Sequence, residues 1–203
     1  MKHDPQPRIS EWLGVDLRPE QWELLKEFER WLTQEAIPAG LLSPTEGDRL
    51  WTRHIVDALS FCIGWRDHPP KRLIDAGSGA GLPGIPVAVA FPQTAVTLLD
   101  RSTKRVRLLR RAIRVLGLAN TEALVGDVRE QRACEAVTMR AVLGPSDAVE
   151  VMANVLMPGG KAVIGLAHRR TADPRWQELG GRIVEVQVLD PSGWLLIMQH
   201  CGD

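Results

Sequence analysis

No charge of either sign predominates in this sequence: 25 Lys and Arg are matched by 25 Asp and Glu, so the formal net charge is zero. A chain so balanced has no overall electrostatic drive toward nucleic acid or an acidic membrane surface, and any such attraction must come from a local basic face. Long apolar runs are also missing. IPVAVAF at 85–91 is far too short to cross a bilayer, and the opening MKHDPQPRIS has no apolar stretch that would mark a secretory signal. Cysteine is scarce and odd in number. Cys62, Cys134 and Cys201 stand far apart without metal-ligand spacing, which argues against a disulfide scaffold or metal centre and for small packing residues in a reduced chain. Internal repeats and low-complexity segments are absent. The expectation is a soluble, cytoplasmic protein with no metal and no membrane partner.

What is present suffices for one core: 203 residues, 44% of them hydrophobic. Residues 17–37 set Trp22, Leu25, Phe28 and Leu32 at helical spacing among charged neighbours. Pro38 and Gly40 end that helix, and 45–61 resume the pattern through Leu50, Trp51, His54, Ile55, Ala58 and Leu59. Two helices are thus predicted ahead of the first strand, in an N-terminal helical extension over 1–68 whose core holds Trp22, Trp31 and Trp51. From 69 onward short apolar runs alternate with helix-length segments: RLIDAG, AVTLLD, EALVGD, EAVTMRAV and KAVIGL. That alternation predicts an α/β unit over 69–203 with a mostly parallel sheet covered on both faces. Residues 182–189 and 194–201 flank DPSG at a spacing suited to an antiparallel hairpin, which brings the sheet to seven strands.

The stretch RLIDAGSGAGLPGIP carries the chemistry. A strand runs into a glycine turn and then into an apolar helix with Pro86 near its first turn. Gly77, Gly79 and Gly81 let backbone approach a ligand closely, with N–H groups expected to face an anionic group. The plain alternative is a tight strand-to-helix connection. A second strand ends at Asp100 about 20 residues on, the placement from which a carboxylate accepts hydrogen bonds from ribose hydroxyls. Gly79, Gly81 and Gly84 also satisfy the G-x-G-x-x-G spacing of dinucleotide enzymes. Asp75 decides between the two cofactors. Beside a pyrophosphate it would set like charges together, whereas it suits the cationic amino group and sulfonium of S-adenosylmethionine.

DAGSGAGLPGIP, LLDRSTKRVRLLR, GDVRE and a strand ending in MRAV, with WTRHIVDAL upstream, resemble the family of ribosomal RNA small subunit methyltransferase G, also called glucose-inhibited division protein B. The resemblance covers most of the chain. It implies a Rossmann-like class I methyltransferase fold with an N-terminal helical extension, and S-adenosylmethionine as cofactor. The activity it implies is methylation of N7 of a guanine in small-subunit ribosomal RNA, with the RNA or the small ribosomal subunit as partner; the chain is expected to be a monomer. Carried over by position, Gly77, Leu82, Val128, Arg129 and Arg140 match the family's cofactor site, while Asp75, Gly79, Gly81 and Asp100 fit the wider class. The chain departs from the family pattern at four places. LLSPT stands for the usual N-L-T stretch, HIVDA carries Ala58 for a serine, DVRE carries Arg129 for an acid, and KAVIGL ends without Lys-Gly, Arg169 and Arg170 following. Two other readings stay open beside the enzyme: a paralogue that binds cofactor and RNA or a protein without transferring a methyl group, and a methyltransferase of small molecules.

Arg101, Lys104, Arg105, Arg107, Arg110, Arg111 and Arg114 crowd one segment, interrupted by Val106, Leu108, Leu109, Ile113 and Leu116. This is an amphipathic helix with a cationic face, either merely solvated or in contact with phosphates. With Arg53, the residues 104, 105, 107, 110 and 111 are the candidates for RNA binding. His54 is read either as a packed histidine or as an active-site group; His54 and Arg140 are the catalytic candidates. No general base is needed for the implied reaction, because guanine N7 offers an in-plane lone pair.

Overall fold

The computed structural model describes residues 5–66, 68–140, 143–166, 182–186 and 193–200. Strands β1 (Arg72–Ala76), β2 (Ala95–Asp100), β3 (Thr121–Val125), β4 (Cys134–Arg140), β5 (Leu156–Leu166), β6 (Arg182–Val186) and β7 (Gly193–Gln199) build one sheet in the order β3-β2-β1-β4-β5-β7-β6. The first five run parallel, with Ala76 level with Leu99 on one side and Met139 on the other. β7 lies antiparallel to β5, and β6 to β7, as the hairpin at the chain's end predicts. Strand order reverses direction between β1 and β4, which opens a crevice at their carboxyl ends, where doubly wound sheets bind ligands.

Helices α1 (Gln6–Leu13), α2 (Pro19–Trp31), α3 (Asp57–Leu59), α4 (Gly84–Ala90), α5 (Thr103–Leu116) and α6 (Pro145–Val155) cover the sheet. Every residue of α4 is buried, because α2 and α3 pack over it while β2 lies beneath. One apolar cluster accordingly runs from Ile9, Phe28 and Leu59 through Val87 and Leu98 to Val163, so the N-terminal segment shares its core with the sheet. Val137, Met139, Met152 and Ile164 form a second cluster on the opposite face, under α6. The tryptophans behave as the periodicity predicts. Trp31 is buried and stacks on Phe28, and Trp22 meets Trp51 at 6.0 Å between ring centroids.

Two corrections concern the region ahead of β1. A helix absent from the sequence reading, α1, starts at Gln6 with Pro7 in its first turn and ends at Leu13, capped by Gly14 with a left-handed φ of 76°. Eight residues give too few turns for periodicity to register. The predicted second helix is also not one helix. Pro44–Arg49 is a 3-10 turn, Leu50–Val56 a π turn, and Ser60–Trp65 a 3-10 turn again, with α3 between the last two. π turns of this kind are frequent at functional sites, and this one carries Arg53 and His54.

Asn120 ties the amino end of β3 to the exit of α4. Its Nδ2 donates to the carbonyls of Ala88 (3.0 Å), Phe91 (3.3 Å) and Thr94 (3.0 Å). Replacing Asn120 by Ala leaves those carbonyls without this donor and is expected to cost about 1–3 kcal/mol in urea unfolding. Asn120→Asp should cost more, because a carboxylate would face three carbonyl oxygens. A loss below about 0.5 kcal/mol for both variants would show that water replaces the amide freely at this site.

Candidate cofactor cleft and the charged network beside it

The glycine turn is held from beneath. Asp75, at the end of β1, is fully buried, and its carboxylate accepts from the Ser78 hydroxyl, the Gly84 N–H (3.0 Å) and the Thr138 hydroxyl (2.9 Å). Burial pushes its pKa above the ordinary carboxylate value, while those donors and the charge of Arg140 pull the other way. The task read from the sequence, meeting a cationic ligand, is therefore corrected: both oxygens face inward and hold the turn to β4. Gly84 must be glycine for the same reason. A Cβ there would lie 2.5 Å from Asp75 Oδ2.

The turn's amides are also engaged within the fold. Gly77 and Ser78 N–H donate to the Leu99 carbonyl (2.8 and 3.0 Å), and Gly79 N–H to Asp100 Oδ2 (3.0 Å). Gly81 and Leu82 N–H both donate to the Ser78 carbonyl, and Gly84 N–H to Asp75. The expected row of N–H groups facing an anion is thus not what the turn presents. Its left-handed residues, Gly77 and Gly79 among them, serve this inward bonding.

At the carboxyl ends of the strands lies a cleft of about 350 Å³ between Gly77, Asp100, Gly126, Val128, Arg129 and Arg140, a size at the lower end of small-molecule sites. Of the residues proposed from sequence for a cofactor, Gly77, Asp100, Val128, Arg129 and Arg140 meet here. Asp75 and Leu82 are buried, and Gly79 and Gly81 do not line the cleft. Asp100 is held in place by Gly79 N–H and by Ser102 N–H (2.8 Å), with the Arg105 guanidinium at 3.5 Å. Asp127 also lines the cleft and was missed. Its carboxylate accepts from Arg129 N–H (3.0 Å) and pairs with the Arg129 guanidinium (3.2 Å) and Arg101 (3.8 Å). The Arg129 N–H bond is the largest of the effects holding its pKa below the ordinary value. The arginine that stands for a family acid at 129 is thus answered by an acid two residues earlier. S-adenosylmethionine fits this donor set: two carboxylates suit ribose hydroxyls, an exocyclic amine and cationic groups.

Arg140 joins the cleft to the N-terminal segment. Its Nη1 is 3.4 Å from Asp57 Oδ2, and its Nη2 3.5 Å from His54 Nδ1. His54 Nε2 in turn is 2.8 Å from Glu46 Oε2, and Arg53 Nε is 3.6 Å from the same oxygen. Burial lowers the Arg140 pKa and raises that of Asp57, each opposed by the other's charge. His54 is 9% exposed and does not line the cleft, so it reaches a bound ligand only through Arg140. Asp57 was legible in the H-x-x-D spacing of HIVDA, whereas nothing in the sequence marked Glu46.

The basic helix is less free than its composition suggests. Lys104 donates to the Ala39 carbonyl (3.2 Å), Arg105 faces Asp100, Arg110 Nε donates to the Ala123 carbonyl (3.0 Å), and Arg111 pairs with Glu35 (2.7 Å). Arg107 and Arg114 are exposed, and no ion pair to either is found among the described residues. Arg169, Arg170 and Cys201 lie outside the described residues. Among those described, no cluster of His, Cys, Asp and Glu could hold a metal, and no helix is long and apolar enough to cross a membrane.

A family model for rRNA small subunit methyltransferase G matches residues 21–173. A protein of that description from Acidothermus cellulolyticus is 37% identical over 163 residues, 78% of this chain and 69% of the relative. Another, from Mycobacterium marinum, is 40% identical over 126 residues, 62% of this chain but 51% of the relative, so the match spans about half of that protein's length. Among solved structures, a methyltransferase from Geobacter sulfurreducens superposes with a TM-score of 0.57 over 97% of this chain and 96% of its own, at 21% identity, which supports the fold.

Because Gly84 backs directly onto Asp75, Gly84→Ala is expected to displace the carboxylate, lower the melting temperature by several degrees and disorder the amides behind the cleft. Thermal unfolding measures the first effect and amide exchange at Gly77 and Gly79 the second. Wild-type values in both would mean that the turn is not held through Asp75.

Proposed function

Because the chain belongs to the rRNA small subunit methyltransferase G family, we propose that it transfers the methyl group of S-adenosylmethionine to N7 of a guanine in small-subunit ribosomal RNA. It is an S-adenosylmethionine-dependent methyltransferase of ribosomal RNA. The observation that carries the choice of cofactor is the inward bonding of the glycine turn. With the amides of Gly77, Ser78, Gly79, Gly81, Leu82 and Gly84 engaged by Leu99, Asp100, Ser78 and Asp75, a dinucleotide's diphosphate would find no cradle there.

S-adenosylmethionine, when bound, supplies an electrophilic methyl group on a sulfonium. Asp100 would accept from its ribose hydroxyls, and Asp127 from the amine of its base, with Val128 beside them in the cleft. Arg140, at the end of β4, lines the same cleft. Guanine N7 needs no proton removed before it attacks, so these residues have to orient and to exclude water. Such positioning supplies about 7–11 kcal/mol of barrier lowering when the reacting atoms are held in line. The exposed face of α5, Arg107 and Arg114 foremost, with Arg53 beside the network, meets RNA phosphates. The chain works in the cytoplasm as a monomer, without a metal, on the small ribosomal subunit.

Calorimetric titration with S-adenosylmethionine, its demethylated product and NADH tests the cofactor. Binding of the first two is expected; binding of NADH alone would restore the dinucleotide alternative. Incubation with labelled cofactor and undermethylated small subunits tests the acceptor, with label expected at a guanine. Cofactor binding without incorporation would favour the binding paralogue, and label in a metabolite pool the small-molecule enzyme. The RNA face has its own measurement. Arg107→Gln with Arg114→Gln should reduce the log-log salt slope of RNA affinity by about 1.4–1.8, because each lost phosphate contact removes about 0.7–0.9. An unchanged slope would assign both arginines to a solvated surface.

A further inference from the structure

We propose that His54 is a positioning residue: its Nδ1 lone pair, aimed by Glu46, holds the Arg140 guanidinium at the rim of the cleft, and protonation of the ring releases it. The inference rests on the cofactor reading of the cleft and adds a residue that acts on that site from behind.

The two ring nitrogens face opposite chemistries. Nε2 lies 2.8 Å from a Glu46 carboxylate oxygen, which can only accept, so this nitrogen carries the proton and donates. Nδ1 is then left with its lone pair toward Arg140 Nη2, at 3.5 Å. The guanidinium can only donate. The opposite tautomer would set a lone pair against a carboxylate and an N–H against an N–H, two mismatches in one ring. Glu46 therefore fixes the tautomer that Arg140 requires. Asp57 receives Arg140 Nη1, so the guanidinium is held at two points, both supplied by the segment 54–57.

A second proton on the ring changes one side only. The Nε2 contact with Glu46 gains charge, but Nδ1–H then points at a cation, and the acceptor that held Arg140 is gone. The groups that bear on the ring are Glu46 from the 3-10 turn before it, Arg53 on its own turn and Arg140 from β4, while Asp57 bonds Arg140. Glu46 favours the protonated ring. Burial, first among the causes, and the two arginines oppose it and hold the His54 pKa below the ordinary histidine value. Glu46 itself is held low by its bond from His54. The ring is thus neutral at neutral pH, Arg140 is held, and release comes on the acid side.

Three variants and one spectroscopic measurement test this. Affinity for S-adenosylmethionine is measured by calorimetry between about pH 5 and pH 8, the range in which imidazole titrates. Native protein should lose affinity toward acid with the midpoint found for the His54 ring by NMR. His54→Gln reaches Glu46 but offers no acceptor at the Nδ1 position. It should bind about tenfold more weakly at pH 8, the size of one lost hydrogen bond to a charged group, and show no acid step. His54→Asn carries an acceptor near the Nδ1 position and no proton to gain; it should bind more tightly than the Gln variant and also lack the step. Glu46→Gln removes the carboxylate that favours the ring proton, so its step should move to lower pH.

A native profile that is flat across the ring's titration, or Asn and Gln variants that bind alike, would overturn the inference while leaving cofactor binding intact. An Nδ1–H tautomer in the ring spectrum, or an Arg140 side-chain resonance indifferent to the ring's protonation, would overturn it even without cofactor. Native protein that binds no S-adenosylmethionine at any pH would instead strike the functional reading, and the spectra alone would still decide the role of His54.

Discussion

Asp75 sets its carboxylate under the glycine turn with three donors converging on it, and the geometry of the cleft follows from that arrangement. Ser78 and Gly84 belong to the turn, and Thr138 to the neighbouring strand β4, so one side chain fixes where the turn sits relative to the crevice between β1 and β4. Removing a carboxylate from water is costly, and only such a full set of donors makes it tolerable. Once the turn is seated, Gly77 and Ser78 reach the Leu99 carbonyl and Gly79 reaches Asp100. The carboxylate at the end of β2 is thereby aimed without any contact between the two acids.

The residues of the N-terminal segment line none of the cleft, yet they hold one residue that does. α4 lies buried between β2 and the helices above it, so these residues could not leave without uncovering Ile85, Val87 and Val89. That packing places the π turn against the end of β4, where Asp57 and His54 meet Arg140. A segment ahead of the first strand thus grips a residue of the cleft itself. Its departure from regular helix has a physical use, because the wider π turn sets successive side chains at a smaller angle than an α-helix does, and Arg53 and His54 both approach Glu46.

The strands and their alternation with helices were legible because each is a local pattern: an apolar run of strand length, then an amphipathic segment. The end of β1, the end of β2 and the glycine turn were legible for the same reason, as was Gly77 in the cleft. What sequence could not give was the direction of polar side chains. Asp75 reads as a ligand group until Thr138, 63 residues away, is found donating to it. The charged run at 101–114 reads as one cationic face until Glu35, 76 residues from Arg111, neutralises part of it. Arg140 and Asp57 are 83 residues apart. Pairings of this kind depend on which elements the core brings together, and a balanced chain has many acids from which to choose.

That balance bears on how one small domain would meet two partners of opposite demand in the proposed reaction. A sulfonium cofactor calls for carboxylates, which would repel an RNA backbone if their field reached the surface. In the cleft each carboxylate is attended by an arginine: Arg105 at Asp100, and Arg129 with Arg101 at Asp127. At such short range the negative field is largely cancelled before it leaves the cleft, and beyond about 8–10 Å salt screens the remainder. Arg107 and Arg114, exposed and with no ion pair among the described residues, lie on one face of α5. Arginine thus has two uses within a single helix. Near its amino end it answers carboxylates of the proposed cofactor cleft, and along its outer face it is left to the solvent, where a phosphate can displace counterions. A chain with zero net charge attracts RNA in the proposed reaction through this segregation of charge, without an excess of it.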